Sequence, residues 1–141
     1  MPGFGTSAWG TSPWGIGLAP AAFALDHVRV IDANTVRATY TDVPQQLHDR
    51  ITADALNPAN YALSIITGPN GTWAPLVARV YPVATDPLSV DLRLDRTLPG
   101  TMRSQQTFLR VTVVNVISAA GAPMIGATYQ NFYALNQVVN E

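Results

Sequence analysis

Leu88-Ser-Val-Asp-Leu-Arg-Leu-Asp95 alternates apolar and polar side chains without a break. Successive side chains of a strand point to opposite faces, so this run is a half-buried strand. Leu88, Val90, Leu92 and Leu94 face inward, and Ser89, Asp91, Arg93 and Asp95 face outward. The same period of two recurs along the chain from Phe23 onward. Phe23 to Ile31 reads as an opening strand with Val28 and Val30 inward and His27 and Arg29 outward. Asp32-Ala-Asn34 supplies turn chemistry before Thr35-Val-Arg-Ala-Thr-Tyr40, which makes the two runs a hairpin.

Further strands are expected at Tyr61 to Thr67, Trp73 to Val83, Thr107 to Val116 and Tyr129 to Val138, with Gly68-Pro-Asn-Gly71 as a turn. Pro75 and Pro82 bracket the Trp73 to Val83 run and place it at a sheet edge, a strand end or a bulge, because proline donates nothing to a ladder. The β-branched run Thr107 to Val116 is the natural central strand. Val43 to Leu56, between Pro44 and Pro58, reads as a loop with at most a turn or two of helix. About seven strands at this spacing describe an all-β sandwich. The chain has no lysine and its only glutamate is Glu141, which removes two good formers of exposed helix surface.

Residues 1–22 stand apart from this pattern. Gly5-Thr-Ser-Ala-Trp-Gly10 and Gly10-Thr-Ser-Pro-Trp-Gly15 are overlapping copies of one hexapeptide, and no charged side chain occurs before Asp26. Glycine at 3, 5, 10, 15 and 17 disfavours both helix and strand interior. Ordering each residue costs about 1–2 kcal/mol, more for glycine, and a few apolar side chains do not offset that alone. The segment is therefore expected to be an extended arm ordered by a partner surface. Phe4, Trp9, Pro13, Trp14, Ile16 and Leu18 are its candidate partner-binding residues. Residues 23–141 are then the sandwich domain.

Charged residues are 12% of the chain, about half the usual share, and net charge is −1. The eight arginines are spread singly from Arg29 to Arg110, so no basic patch addresses phosphate, and nucleic acid is not an expected partner. No apolar run reaches the length of a membrane-spanning helix, and no secretion signal is read at the N-terminus, so no membrane partner is expected. Without cysteine there is no disulfide framework or thiolate metal site.

His27 and His48 lack ligand-spaced neighbours and read as an exposed strand residue and a loop residue. Asp26, Asp32, Asn34 and Asp42 read as turn and cap residues rather than cation ligands. Asp42, Asp49 and Asp54 read as solvated loop charges that form no acid/base pair. No phosphate-binding loop or Gly-x-Ser-x-Gly elbow occurs. The expectation is a non-enzymatic protein with no catalytic residue, metal or cofactor. Tyr61, Tyr81, Tyr129, Phe132 and Tyr133 are read as core filling rather than a binding patch. Trp73, just after the turn, is open between core plug and loop-tip anchor.

Three stretches carry a resemblance. They are the pair Val28-Arg-Val-Ile and Thr35 to Tyr40, then Ala55-Leu-Asn-Pro-Ala-Asn-Tyr-Ala-Leu63, then Phe108-Leu-Arg-Val-Thr-Val followed by Asn115-Val-Ile-Ser-Ala-Ala-Gly-Ala-Pro-Met124. From about Val28 to Met124 the chain resembles the Ig-like domains of bacterial surface proteins and phage virion proteins. It departs from their pattern at Ser118, where aspartate is usual, which puts any calcium or turn-capping role there in doubt. The Met1-Pro-Gly-Phe-Gly start resembles the arms of tailed-phage structural proteins. The resemblance implies a Greek-key sandwich and a structural component of a virion, assembled in the host cytoplasm. Its partners would be capsid, neck or tail subunits and further copies of itself. The alternative is an adhesion or carbohydrate-binding module of a bacterial surface protein.

Overall fold

The run Asp86–Leu94 is a strand flanked on both sides. It pairs antiparallel with Thr35–Tyr40 and with Val77–Val83. A computed structural model of the chain describes residues 23–68, 73–99, 107–125 and 128–134. The candidate arm residues Phe4, Trp9, Pro13, Trp14, Ile16 and Leu18 lie outside the described residues, as do Asn70-Gly71 and Val138.

Seven strands occur among the described residues: β1 Leu25–Asp32, β2 Thr35–Tyr40, β3 Tyr61–Thr67, β4 Val77–Val83, β5 Asp86–Leu94, β6 Phe108–Val113 and β7 Tyr129–Tyr133. They form a four-stranded sheet in the order β1-β2-β5-β4 and a three-stranded sheet in the order β3-β6-β7. All pairings are antiparallel. Labelled alphabetically in chain order, the strands give ABED on one sheet and CFG on the other, the arrangement of an Ig-like sandwich. The β-branched strand β6 is central in its sheet, as its composition requires. β4 is an edge strand, so Pro82 leaves no ladder bond unmade on a second neighbour.

Register explains the core. Val30↔Val36 and Val36↔Leu92 form one inward row across three strands, and Val28↔Ala38 and Ala38↔Val90 form the next. From the other sheet Leu109, Val111, Val113 and Phe132 close over these rows, with Tyr61 at the head of β3. Gln130 lies at the margin between the sheets and donates from Nε2 to the Leu25 carbonyl at 2.9 Å, tying β7 to β1.

Two local expectations are corrected. Ser89 lies on the outer side of β5 but is buried, because its hydroxyl bonds Thr39 Oγ1 at 2.7 Å and donates to Asp86 Oδ2 at 2.6 Å. Loop residue Gln46 also reaches this end of β5, donating to the Pro87 carbonyl at 3.1 Å. Trp73 to Leu76 is not strand, so β4 starts only at Val77. Pro75 has no N–H to offer a ladder, and Leu76 instead donates to Asp95 Oδ1 at 2.9 Å.

Leu92 is fully buried where the two sheets meet. Leu92→Ala should lower unfolding free energy by about 2–5 kcal/mol, whereas Arg93→Ala on the exposed face should change it by less than about 0.5 kcal/mol. Urea denaturation of the two variants checks this contrast.

Candidate interaction surface

The irregular end of the sandwich is built by two loops laid against each other. Gln45 N–H donates to the Ile117 carbonyl at 2.9 Å, Ile117 N–H to Ala53 at 3.1 Å and Ala119 N–H to Val43 at 2.8 Å. Residues 43–57 contain no helix. Single turns at Ile51, Asp54 and Asn57 follow one another instead, each closing on the residue three back. One 3₁₀ turn, Pro58–Asn60, then leads into β3, capped by the Asn57 side chain on Ala59 N–H.

Asp54 is the hub of this loop and is completely buried. Its carboxylate accepts Leu47 N–H at 2.6 Å, His48 N–H at 3.3 Å and Leu56 N–H at 2.9 Å. This overturns the reading of Asp54 as a solvated loop charge. A short acid whose oxygens reach several backbone donors is buried at lower cost than one left unpaired. Its apolar neighbours Ala53, Ala55 and Leu56 were the available sequence signal. Asn60 belongs to the same network, donating from Nδ2 to the carbonyls of Thr52 at 2.7 Å and Asp54 at 3.0 Å.

Below the loop, the Tyr40 and Tyr61 hydroxyls meet at 2.7 Å, and Tyr61 donates to the Ala55 carbonyl at 2.6 Å. Burial pushes the Tyr40 phenol above its ordinary value, the bond to Tyr61 opposing this. Burial also raises Tyr61, reinforced by Tyr40 and by the Asp54 charge. Ser118 caps its turn: its Oγ accepts Ala122 N–H at 2.9 Å. Gly121 in that turn has φ +93°, a conformation that side-chain-bearing residues rarely adopt.

Asp32 and Asp42 do the expected turn duty, whereas Asp26 lies within β1 and is neither turn nor cap, facing the neighbouring His27 instead. Asp32 Oδ1 accepts Asn34 N–H at 2.8 Å, Asp42 Oδ1 accepts Val43 N–H at 2.8 Å, and His27 Nδ1 lies 2.8 Å from Asp26. His48 is exposed, its Nδ1 accepting Arg50 N–H at 3.0 Å. Asp49 is exposed beside a polar cleft of about 310 Å³ that is also lined by Arg79 and Tyr81. Among the described residues no three His, Asp or Glu side chains gather as a metal site.

The aromatic residues divide. Tyr61 and Phe132 fill the core, but Tyr81, Tyr129 and Tyr133 remain 46%, 47% and 44% exposed, which corrects the core-filling expectation for those three. Trp73 is also on the surface, with the Arg96 guanidinium 4.7 Å from its ring centroid.

Tyr129 and Tyr133 share the outer face of the three-stranded sheet. Phe108 packs on Tyr133 at 4.4 Å, and the Arg110 guanidinium lies 4.1 Å over Tyr129 while its Nε donates to Asn131 Oδ1 at 3.0 Å. Arg110 is the only charged residue in β3, β6 and β7. The other sheet is different, with Arg29, Arg79 and Arg93 exposed and Arg37 clasping Asp91 at 2.7 and 3.0 Å. Aromatic residues and arginine without carboxylates are the usual makeup of a binding face. An apolar groove of about 340 Å³ opens at the end of the three-stranded sheet, where β6 runs into the 115–123 turn.

Two solved structures are similar in fold. The S-layer protein rSbsC(31-844) superposes with a TM-score of 0.57 at 18% identity, covering 79% of this chain and 13% of that one. The N-terminal part of the bacterial S-layer protein SbsC gives 0.55 at 17%, covering 79% of this chain and 24% of that one. The chain spans less than a quarter of the length of either of these structures. No protein-family model and no curated protein matches the sequence.

Asp54→Ala leaves three backbone donors without their acceptor and should cost roughly 3–5 kcal/mol, with Asp54→Asn in between, in a denaturation series. A second outcome concerns alkali. The ordinary phenol value is 10.0, and both buried phenols lie above it when folded. The unfolded chain therefore releases these protons first, so the contribution of these two phenols to stability is level below pH about 10 and falls as pH rises beyond it. Tyr40→Phe/Tyr61→Phe should flatten that fall in pH-dependent melting.

Proposed function

We propose that this chain is a non-enzymatic structural subunit of a self-assembling particle, a bacteriophage virion, with the sandwich as spacer or outward module and residues 1–22 as its attachment. One observation carries the reading: a β-domain whose core and irregular end are held by its own contacts is joined to an uncharged segment bearing two Trp-Gly repeats. Such a segment is ordered at the expense of a partner's apolar surface, which is what an assembly contact requires. The virion assignment rests on the sequence resemblance and places assembly in the host cytoplasm. Capsid, neck or tail subunits and further copies of this chain are the partners.

The fold likeness to S-layer proteins favours a second reading in the same class, a module of a bacterial surface layer. Both readings make the chain a building block, and they differ in where the assembly stands. Mass spectrometry of purified virions against a cell-surface fraction separates them.

Deleting residues 1–22 should leave a folded, monomeric domain that is absent from assembled particles, as followed by circular dichroism, sedimentation and particle composition. Normal incorporation of the truncated protein would reject the attachment role.

A further inference from the structure

We infer that Arg79 and Arg93, together with the cleft at the free edge of β4, bind a carboxylated saccharide. Spread singly along the sequence, Arg29, Arg37, Arg79 and Arg93 come together on the outer face of the four-stranded sheet. Two of them oppose each other with nothing between. Arg79 pairs with Arg93 across β4 and β5, which sets their Cβ atoms about 5 Å apart, a spacing at which like charges destabilise a sheet. The register shift between Val77 and Arg79 creates this pair. An unshifted ladder continuing from Val77↔Leu94 would set Ala78 against Arg93 and turn Arg79 toward Leu92, on the core side.

The chain supplies no counter-ion for the pair. Among the described residues no carboxylate lies within ion-pair distance of Arg79 or Arg93, and Glu141 is the only acidic side chain outside them. The aspartates are occupied elsewhere: Asp91 by Arg37, Asp95 by Arg96 and the Leu76 N–H, Asp86 by Ser89, and the others by histidines or backbone N–H groups. The two guanidinium forks are left to an anion from outside, and a carboxylate accepts two parallel N–H bonds from either one.

The adjoining cleft selects what carries that carboxylate. Arg79 also lines the cleft of about 310 Å³ between β4 and the loop that bears Asp49, and Tyr81 lines it too. Tyr81 follows Arg79 by two residues on the same face, is 46% exposed and has no hydrogen-bond partner among the described residues. Its ring offers an apolar plate to the C–H face of a pyranose, while Asp49 accepts from hydroxyl donors. Carboxylate and hydroxyls on one ring describe a uronic acid. An acidic peptide, which lacks the hydroxyls, would set its charges against Asp49 and Asp91, and nucleic acid needs a longer run of cations than this face offers on a chain of net charge −1. The site does not depend on the assembly reading above.

Isothermal titration of the full chain with oligomers of galacturonate and of glucuronate, and with their methyl esters, tests this. The esters keep the hydroxyls and lose the charge. At least one acid should bind about tenfold more tightly than its ester, and Arg79→Gln or Arg93→Gln should each weaken that binding about tenfold. Asp49→Asn should weaken it several-fold. Arg29→Gln, on the same face but at its opposite edge, should change it by less than about twofold. Without sugar, Arg79→Gln should raise the melting temperature at low ionic strength and lose that gain in high salt, because it relieves the Arg79–Arg93 repulsion.

Failure of both uronates to bind, or equal affinity for acid and ester, overturns the site. So does a loss on Arg29→Gln as large as that on Arg79→Gln, which reduces the binding to general charge attraction. Poly-aspartate or duplex DNA bound more tightly than the uronates gives the face to an acidic protein or to nucleic acid and overturns the saccharide. A melting temperature lowered by Arg79→Gln at low salt reveals a counter-charge within the chain and removes the need for an outside anion.

Discussion

The irregular end of this sandwich depends on one buried carboxylate. Asp54 gathers the N–H groups of Leu47, His48 and Leu56, and this holds a helix-free loop as a defined shape rather than a loose connection. Everything at that end is placed in turn. Ala55 is fixed to accept the Tyr61 hydroxyl, Tyr61 meets Tyr40, and the loop backbone pairs with residues 117–119. The wall of the apolar groove is part of that same segment. Burying a charge is costly, and here three backbone donors that would otherwise be orphaned offset the cost.

The two outer faces show how one fold separates duties. The four-stranded sheet carries spaced, exposed arginines and the Arg37–Asp91 clasp, which make it a charged and solvated face. The three-stranded sheet carries tyrosines, Phe108 and one arginine already stacked on Tyr129. Such a face loses little hydration energy when covered. Together with the groove at its end, it gathers the exposed aromatic and apolar surface of the three-stranded sheet in one region.

Much of the fold was legible because inward and outward residues alternate wherever a strand has one wet face. The bounds of β2 and β3 and the inward set Val28, Val30, Val90, Leu92 and Leu94 follow from period, and the edge position of β4 is one of the three placements that its prolines left open. The Asn57 to Leu63 stretch was legible as a motif, and the structure supplies its physics: Asn57 caps, Asn60 holds the loop carbonyls and Tyr61 opens the strand. Strand ends were overrun, as at Trp73 to Leu76 and Val114 to Val116, and the misjudged side chains were polar or aromatic. Ser89, Asp54, Tyr81, Tyr129 and Tyr133 were assigned by residue type, yet their burial is set by what packs over them from distant parts of the chain.

The sequence by itself determined that this chain is a β-sandwich bearing an uncharged, tryptophan-marked N-terminal segment, because periodicity and composition are local properties. Only the tertiary structure decided which polar groups are buried and which aromatics stand on the surface. Strand pairing and loop docking join residues tens of positions apart, as Thr39 joins Ser89 and Val43 joins Ala119, and no local pattern encodes those meetings.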